Sequence, residues 1–306
     1  MKKIISTSIT KKTISIFLLL LFSYPMFGQD SDDFAKRLKA IKNQEIVFYN
    51  IDGVSFSSQI FNNSFSEKGL KKAFRKYSID KNDLKIKDEK LSFNNYYVNK
   101  NETVTESLIQ NNSYYFVEDK NNSISVFWFG SINKQNRDFE RKFINLILEN
   151  KIPKEVFEPI TIESIDFAGR KITLGSNCYW TNVNTVQCPY YGEMNWSVHK
   201  DLIDAQNSVN NQLAMTKAKK NGKVVSEEFV DIEFEGSPTK AKKVIYDFTG
   251  VTSLLAGMSG GKTLTIFYVA SEVRDNYVSC VLSFWNNDTI TENGLAPLLE
   301  KVMKLK

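Results

Sequence analysis

The stretch SYYFVEDKNNSISVFWFGSI, Ser113–Ile132, limits the fold more than any other part of the chain. Aromatic and aliphatic side chains run on either side of a polar break at Lys120-Asn121-Asn122. Successive side chains of a strand point to opposite faces, so the pattern predicts two antiparallel strands joined by a tight turn. A second stretch, TIFYVASEVRDNYVSCVLSFWNN (Thr265–Asn287), repeats the arrangement: aromatic-rich strand, polar turn, and a strand with a Phe-Trp core.

Each hairpin leads into an amphipathic segment. Asp138–Asn150 places Phe139, Phe143, Leu146 and Ile147 inward at helical spacing. Gly294–Lys306 does the same with Leu295, Leu298, Leu299 and Val302. Upstream of each hairpin lies a strand followed by a helix. Glu45–Ile51 reads as a strand, and the helix after Ser66 carries Leu70, Ala73, Phe74 and Tyr77 on one face, with Ser66 as its N-cap. Glu193–His199 reads as a strand, and the next helix carries Leu202, Ala205, Val209 and Leu213. The expected fold class is therefore α+β: two related units from a diverged duplication, each an antiparallel sheet with helices packed on one face. Residues 29–150 form the N-terminal unit. Lys151–Pro159, bracketed by prolines, is the linker. Residues 160–306 form the C-terminal unit, which carries a cysteine hairpin. Each unit is long enough to hold a core of its own.

Residues 1–28 read as a signal peptide. Lys2, Lys3, Lys11 and Lys12 precede an apolar run, Ile14–Phe22, which Pro25 interrupts. The run is shorter than the roughly 20 residues that span a bilayer. The whole chain has 40 basic and 35 acidic residues, but all four charges of the leader are lysines. The body that remains is almost neutral and offers no general attraction to nucleic acid or anionic lipid. The leader's exit and the Asn- and Lys-rich body resemble exported bacterial proteins in style. The expected location is periplasmic, outer-membrane-associated or secreted, with membrane association only through a partner.

Export gives the three cysteines an oxidising compartment. In CYWTNVNTVQC a turn at Asn182-Val183-Asn184 sets Cys178 opposite Cys188 and Trp180 opposite Val186. A Cys178–Cys188 disulfide is expected, stabilising by about 3 kcal/mol. Cys280 is left over, and neither the cysteine spacing nor a single histidine suits a zinc site. No metal or cofactor is expected.

Ala256–Thr263 (AGMSGGKT) fits the loosest phosphate-loop pattern. That loop needs a helix to begin at its Lys-Thr, so that backbone N–H groups meet the phosphates. Here the alternating segment LTIFYVASEV follows, which predicts a strand, and no nucleotide is expected. Ser197, His199 and Asp201 would share one strand face, where parallel side chains do not close a nucleophile–base–orienter geometry. Glu227, Asp231, Glu233 and Glu235 read as the solvated face of a half-exposed strand, as do Lys71, Lys72, Arg75 and Lys76 on their helix. No catalytic residue is assigned.

Aromatic residues make up 13% of the chain. Tyr179, Trp180, Tyr190, Tyr191 and Trp196 gather around the cysteine hairpin, where rigid amphipathic rings could contact a protein or another envelope macromolecule. The expected function is a non-catalytic binding protein of the bacterial cell envelope. The alternatives are a secreted hydrolase using carboxylates and an accessory subunit of an outer-membrane assembly. On this reading, Trp180→Ala weakens partner capture without greatly lowering the melting temperature.

Overall fold

A computed structural model describes residues 33–105, 108–133, 135–249 and 261–306. The leader, residues 1–28, and the loop residues Ala256–Gly260 lie outside them. The sheets and the cleft between them belong to one compact unit, Ala35–Lys306.

Two large antiparallel sheets make up the α+β body. After a short helix, α1 (Asp33–Arg37), come β1 (Lys39–Asn43), β2 (Ile46–Ile51) and β3 (Val54–Ser64). Helix α2 (Glu67–Lys76) follows, then β4 (Asn95–Thr105), β5 (Leu108–Glu118), β6 (Ser123–Ile132) and α3 (Arg137–Leu148). The strand order is β1-β2-β3-β6-β5-β4, so β6 returns to pair with β3, with Phe56 opposite Phe129.

A 3₁₀ turn (Lys154–Val156) and a small hairpin of β7 (Ser164–Phe167) and β8 (Arg170–Thr173) lead to the second sheet. It contains β9 (Tyr179–Asn182), β10 (Thr185–Cys188), β11 (Gly192–His199), helix α4 (Leu202–Ala218), β12 (Gly222–Phe234), β13 (Ser237–Phe248), β14 (Thr263–Val273) and β15 (Asn276–Trp285). Helix α5 (Pro297–Glu300) and β16 (Met303–Leu305) close the chain. The order is β16-β12-β13-β14-β15-β11-β10-β9. Here too a three-strand meander is followed by a helix and a second meander, whose last strand returns beside the third strand of the first.

Helices lie on both faces of each sheet, not on one. Leu70 and Ala73 of α2 pack with Val98, Phe116, Ile124 and Val126. The alternate positions of β5 and β6 meet α3: Phe143 lies 5.1 Å from the ring of Phe56, and Phe56 stacks on Phe129 at 5.0 Å. In the second sheet Val209 of α4 packs with Val244, Tyr246, Ile266 and Tyr268. The opposite face buries Trp196, Phe267, Val269 and Cys280 under the β7–β8 hairpin and the α5 segment. The cause is visible in runs such as YYFV and VFWF. They are apolar at consecutive positions, so both faces must be covered.

Two other expectations change. Leu295, Leu298, Leu299 and Val302 are all buried, but the terminal helix is a single turn. The chain then pairs Met303 with Phe234 as an edge strand, since the backbone of β12 offers an open ladder there. On α3 the most buried positions are Glu140, Phe143 and Ile144, while Leu146 and Ile147 are only half-buried. The segment Lys151–Pro159 lies along β1, where the Glu158 N–H donates to the Ala40 carbonyl at 2.8 Å and Val156 is buried.

Candidate functional site

The cysteine hairpin forms with the expected pairing at its cysteine end, but a bulge between Thr185 and Val186 pairs Asn182 with Thr185 and narrows the turn to Val183-Asn184. Cys178 and Cys188 are bonded, Trp180 pairs with Val186, and Tyr179 pairs with Gln187. Tyr179, Tyr190 and Tyr191 are 46%, 63% and 44% exposed. Trp196 is 0% exposed and lies in the core against Phe167, so it supports the hairpin from beneath. Trp180 is half-buried between them. Its ring lies 6.0 Å from that of Trp196, and its indole N–H donates to the Pro159 carbonyl at 3.0 Å. Truncating Trp180 therefore removes core packing as well as surface.

His199 is 3% exposed. Its Nε2 meets the Ser279 hydroxyl at 2.8 Å, and its Nδ1 is buried without a partner among the described residues. Burial pushes its pKa down, against the upward pull of Asp52, Asp204 and Asp201. Ser197 turns to other partners, and Asp201 caps α4 by accepting from the Asp204 N–H at 2.8 Å. The three residues do not assemble as nucleophile, base and orienter. Cys280 is a buried free thiol, pushed well up in pKa by burial.

The acidic strand is mostly solvated and paired. Glu227 meets Lys242 and Lys217, Asp231 meets Lys240, and Glu233 meets Lys304. Glu235 differs. It stands in the β12–β13 turn at φ 51°, its side chain only 3% exposed and gripped by Arg170 and Arg274. Its position past the end of the strand removes it from the alternating face. Lys262-Thr263 leads directly into β14, as the alternation requires. Lys71, Lys72, Arg75 and Lys76 are exposed on α2.

A cleft of about 800 Å³ lies between the two sheets. Its walls come from the β2–β3 hairpin, the end of β6, the first turn of α3, the β9–β10 turn, β11 and the outer side of α4. A chain of uncharged groups crosses its floor. The Asn184 amide donates to Ser197 Oγ at 3.0 Å, which donates to Asn50 Oδ1 at 2.9 Å, while Asn50 Nδ2 donates to Ser55 Oγ at 3.2 Å. Asn50, Asn184 and Ser197 are all buried.

Two acids of the cleft, Asp52 and Glu140, are engaged, while Asp204 stands exposed at its rim. Asp52 pairs with Arg37 at 2.8 Å. Glu140 accepts from the Ser113 and Tyr115 hydroxyls at 2.9 and 2.7 Å. Burial raises the Glu140 pKa, and the hydroxyl hydrogen bonds oppose that only in part. Among the described residues no group of three or more His, Cys, Asp or Glu side chains is arranged to hold a metal ion. Among them, too, no helix is long and apolar enough to cross a membrane.

Reading the sequence misses this cleft. One local signal pointed to it: α4 holds Asn207, Asn210 and Asn211 in its interior, where Asn is a poor helix former.

No family model matches the sequence, and no curated protein matches it. Among solved structures, the chain has a weak likeness to the di-domain ARO/CYC StfQ from the steffimycin biosynthetic pathway, at 8% identity over 80% of this chain and 72% of that one. The TM-score is 0.16, at which the likeness carries no argument about fold or function.

Proposed function

We propose that the chain is an exported, non-catalytic binding protein that engages a macromolecule of the bacterial cell envelope. One observation carries the reading: the cleft is built mostly from neutral amides, hydroxyls and rings on two sheets, and its two inner carboxylates, Asp52 and Glu140, are already held by protein partners. Such a lining orients a ligand without offering a reactive group. The Cys178–Cys188 bond suits an oxidising compartment, which supports export. Tyr179, Tyr190 and Tyr191 supply a further contact surface, supported by Trp180 and Trp196. The connectivity shared by the two sheets supports a duplicated ancestor.

The secreted-hydrolase reading draws on one observation, a buried carboxyl of raised pKa at the cleft, Glu140. Both of its oxygens are bound inward, which favours a structural role.

The test is made on protein from the native host. The mature chain is expected to begin near Gln29 and to associate with envelope fractions. Replacing Tyr190 and Tyr191 by Ala should weaken that association while leaving the melting temperature unchanged. Material that still begins at Met1 in the cytosol overturns the reading.

A further inference from the structure

From the cleft geometry we infer that the ligand seated between the two sheets is a neutral oligosaccharide, with Trp128 as its stacking platform. The inference rests on the reading of the chain as a binding protein and names the ligand class of the cleft.

Three observations converge. First, the indole of Trp128 is held in place. Its Nε1–H donates to Asn112 Oδ1 at 3.1 Å, an oxygen that also accepts from Gln110 Nε2 at 3.2 Å. The ring lies back across Gly130, where a Cβ would come within 2.8 Å of it. Only glycine allows that approach. A fixed, half-buried aromatic ring at a cleft wall offers a flat apolar surface with no ordering cost on binding. The C–H face of a pyranose is a flat apolar surface of matching size.

Second, the hydrogen-bonding groups are of the kind that recognises hydroxyls. An amide presents a donor and an acceptor side by side, as a sugar hydroxyl does. Asn207, Asn211 and Gln212 of α4 line the cleft, and among the described residues their amides have no protein partner. Three asparagines in one helix interior weaken it locally, and such a conflict is expected where a site overrides propensity.

Third, the cleft lining carries no cluster of one charge that a charged ligand would need. Asp52 is neutralised by Arg37, and Glu140 is sealed against Ser113 and Tyr115. Lys200 and Asp204 stand at the same wall with opposite signs. A phosphate, a carboxylated sugar or a polycation would meet no matching cluster, whereas a neutral polyol finds its hydroxyls matched.

The test is titration calorimetry of the mature chain against cellohexaose, maltohexaose, xylohexaose and mannohexaose, with an oligogalacturonate as the anionic control. At least one neutral hexasaccharide is expected to bind in the micromolar to millimolar range, and the anionic one not to bind. Trp128→Ala and, separately, Asn211→Ala should each weaken binding by about tenfold or more. Asn211 is half-buried in the cleft wall with no protein partner for its amide among the described residues, and Ala is the better helix former, so that variant keeps its melting temperature and guards against a folding artefact. The inference fails if no neutral sugar binds at concentrations up to about 10 mM. It also fails if binding survives both substitutions. Failure here with continued association to envelope fractions removes the sugar and leaves the binding reading. Shortened sugars on chromatography after incubation would instead keep the cleft's ligand class and overturn the non-catalytic reading.

Discussion

Glu140 and His199 are both buried ionisable groups near the cleft, and their protonation acts on stability in opposite directions. Glu140 has its pKa raised by burial above the ordinary 4.5. The folded state therefore holds this proton more tightly than the unfolded chain. The stability it adds is complete below about pH 4.5 and is lost as pH rises through the folded value. His199 has its pKa lowered by burial below 6.5. Its stabilisation is present above pH 6.5 and is lost as pH falls through the folded value. Across the interval between, the two slopes oppose each other. Glu140→Gln should then tilt the pH profile of the melting temperature, relative to wild type, so that stability rises more steeply with pH. His199→Gln should tilt it the other way. Melting temperatures measured at a series of pH values for wild type and both variants check this. Parallel profiles for all three would show that neither group titrates as its burial implies.

At the scale of elements, Asp88 pins α3 to the loop that precedes β4. Its carboxylate accepts from Arg137 at 2.6 Å and from Arg141 Nε at 2.9 Å, one helical turn apart. Burial alone would raise its pKa, but the two guanidinium groups hold it below the ordinary value. Asp88→Asn leaves two cations facing each other without their shared anion. It should cost about 2–3 kcal/mol, read from denaturant unfolding at neutral pH. The cysteine hairpin is a second such unit. Replacing Cys178 and Cys188 together by Ala frees a short loop and should cost about 3 kcal/mol by the chain-entropy account. Trp180→Ala should also lower the melting temperature, since the indole packs on Trp196 and bonds Pro159. These elements differ in how far the sequence revealed them. The hairpins and the Cys178–Cys188 pairing were legible because alternation and turn spacing are local properties. The C-terminal segment was half legible. The spacing of Leu295, Leu298, Leu299 and Val302 marks buried positions equally well for one helical turn followed by a strand. Glu235 was misread as solvated, and Glu140 drew no reading, because their burial depends on Arg170 and Arg274 and on Tyr115, which no local pattern connects to them. The cleft floor was illegible for the same reason: Asn50 and Ser197, its central pair, are 147 positions apart.

At the scale of the whole molecule, the question is whether each sheet carries its own stability. Each is large enough to bury a core. Yet polar groups of the first half are built into the second. Lys39 of β1 reaches past Glu158 to bond the Asp166 carbonyl at 2.9 Å, and its ammonium lies 4.3 Å from the centre of the Trp196 ring. Burial depresses the Lys39 pKa, with Glu158 and Asp166 opposing that shift. Ser197 donates to Asn50, and the backbone of Glu158 is bonded to β1. Cutting the chain at the linker exposes these groups without their partners. A fragment of residues 160–306 should therefore lose its compact tryptophan environment around Trp196, with a red-shifted emission and dye-accessible apolar surface. Adding a fragment of residues 35–159 should restore the native emission, because the lost contacts are intermolecular in that mixture and need no covalent link. A C-terminal fragment that melts alone at the temperature of the intact chain would mean that the bonds across the cleft add specificity to the arrangement of the sheets and no stability.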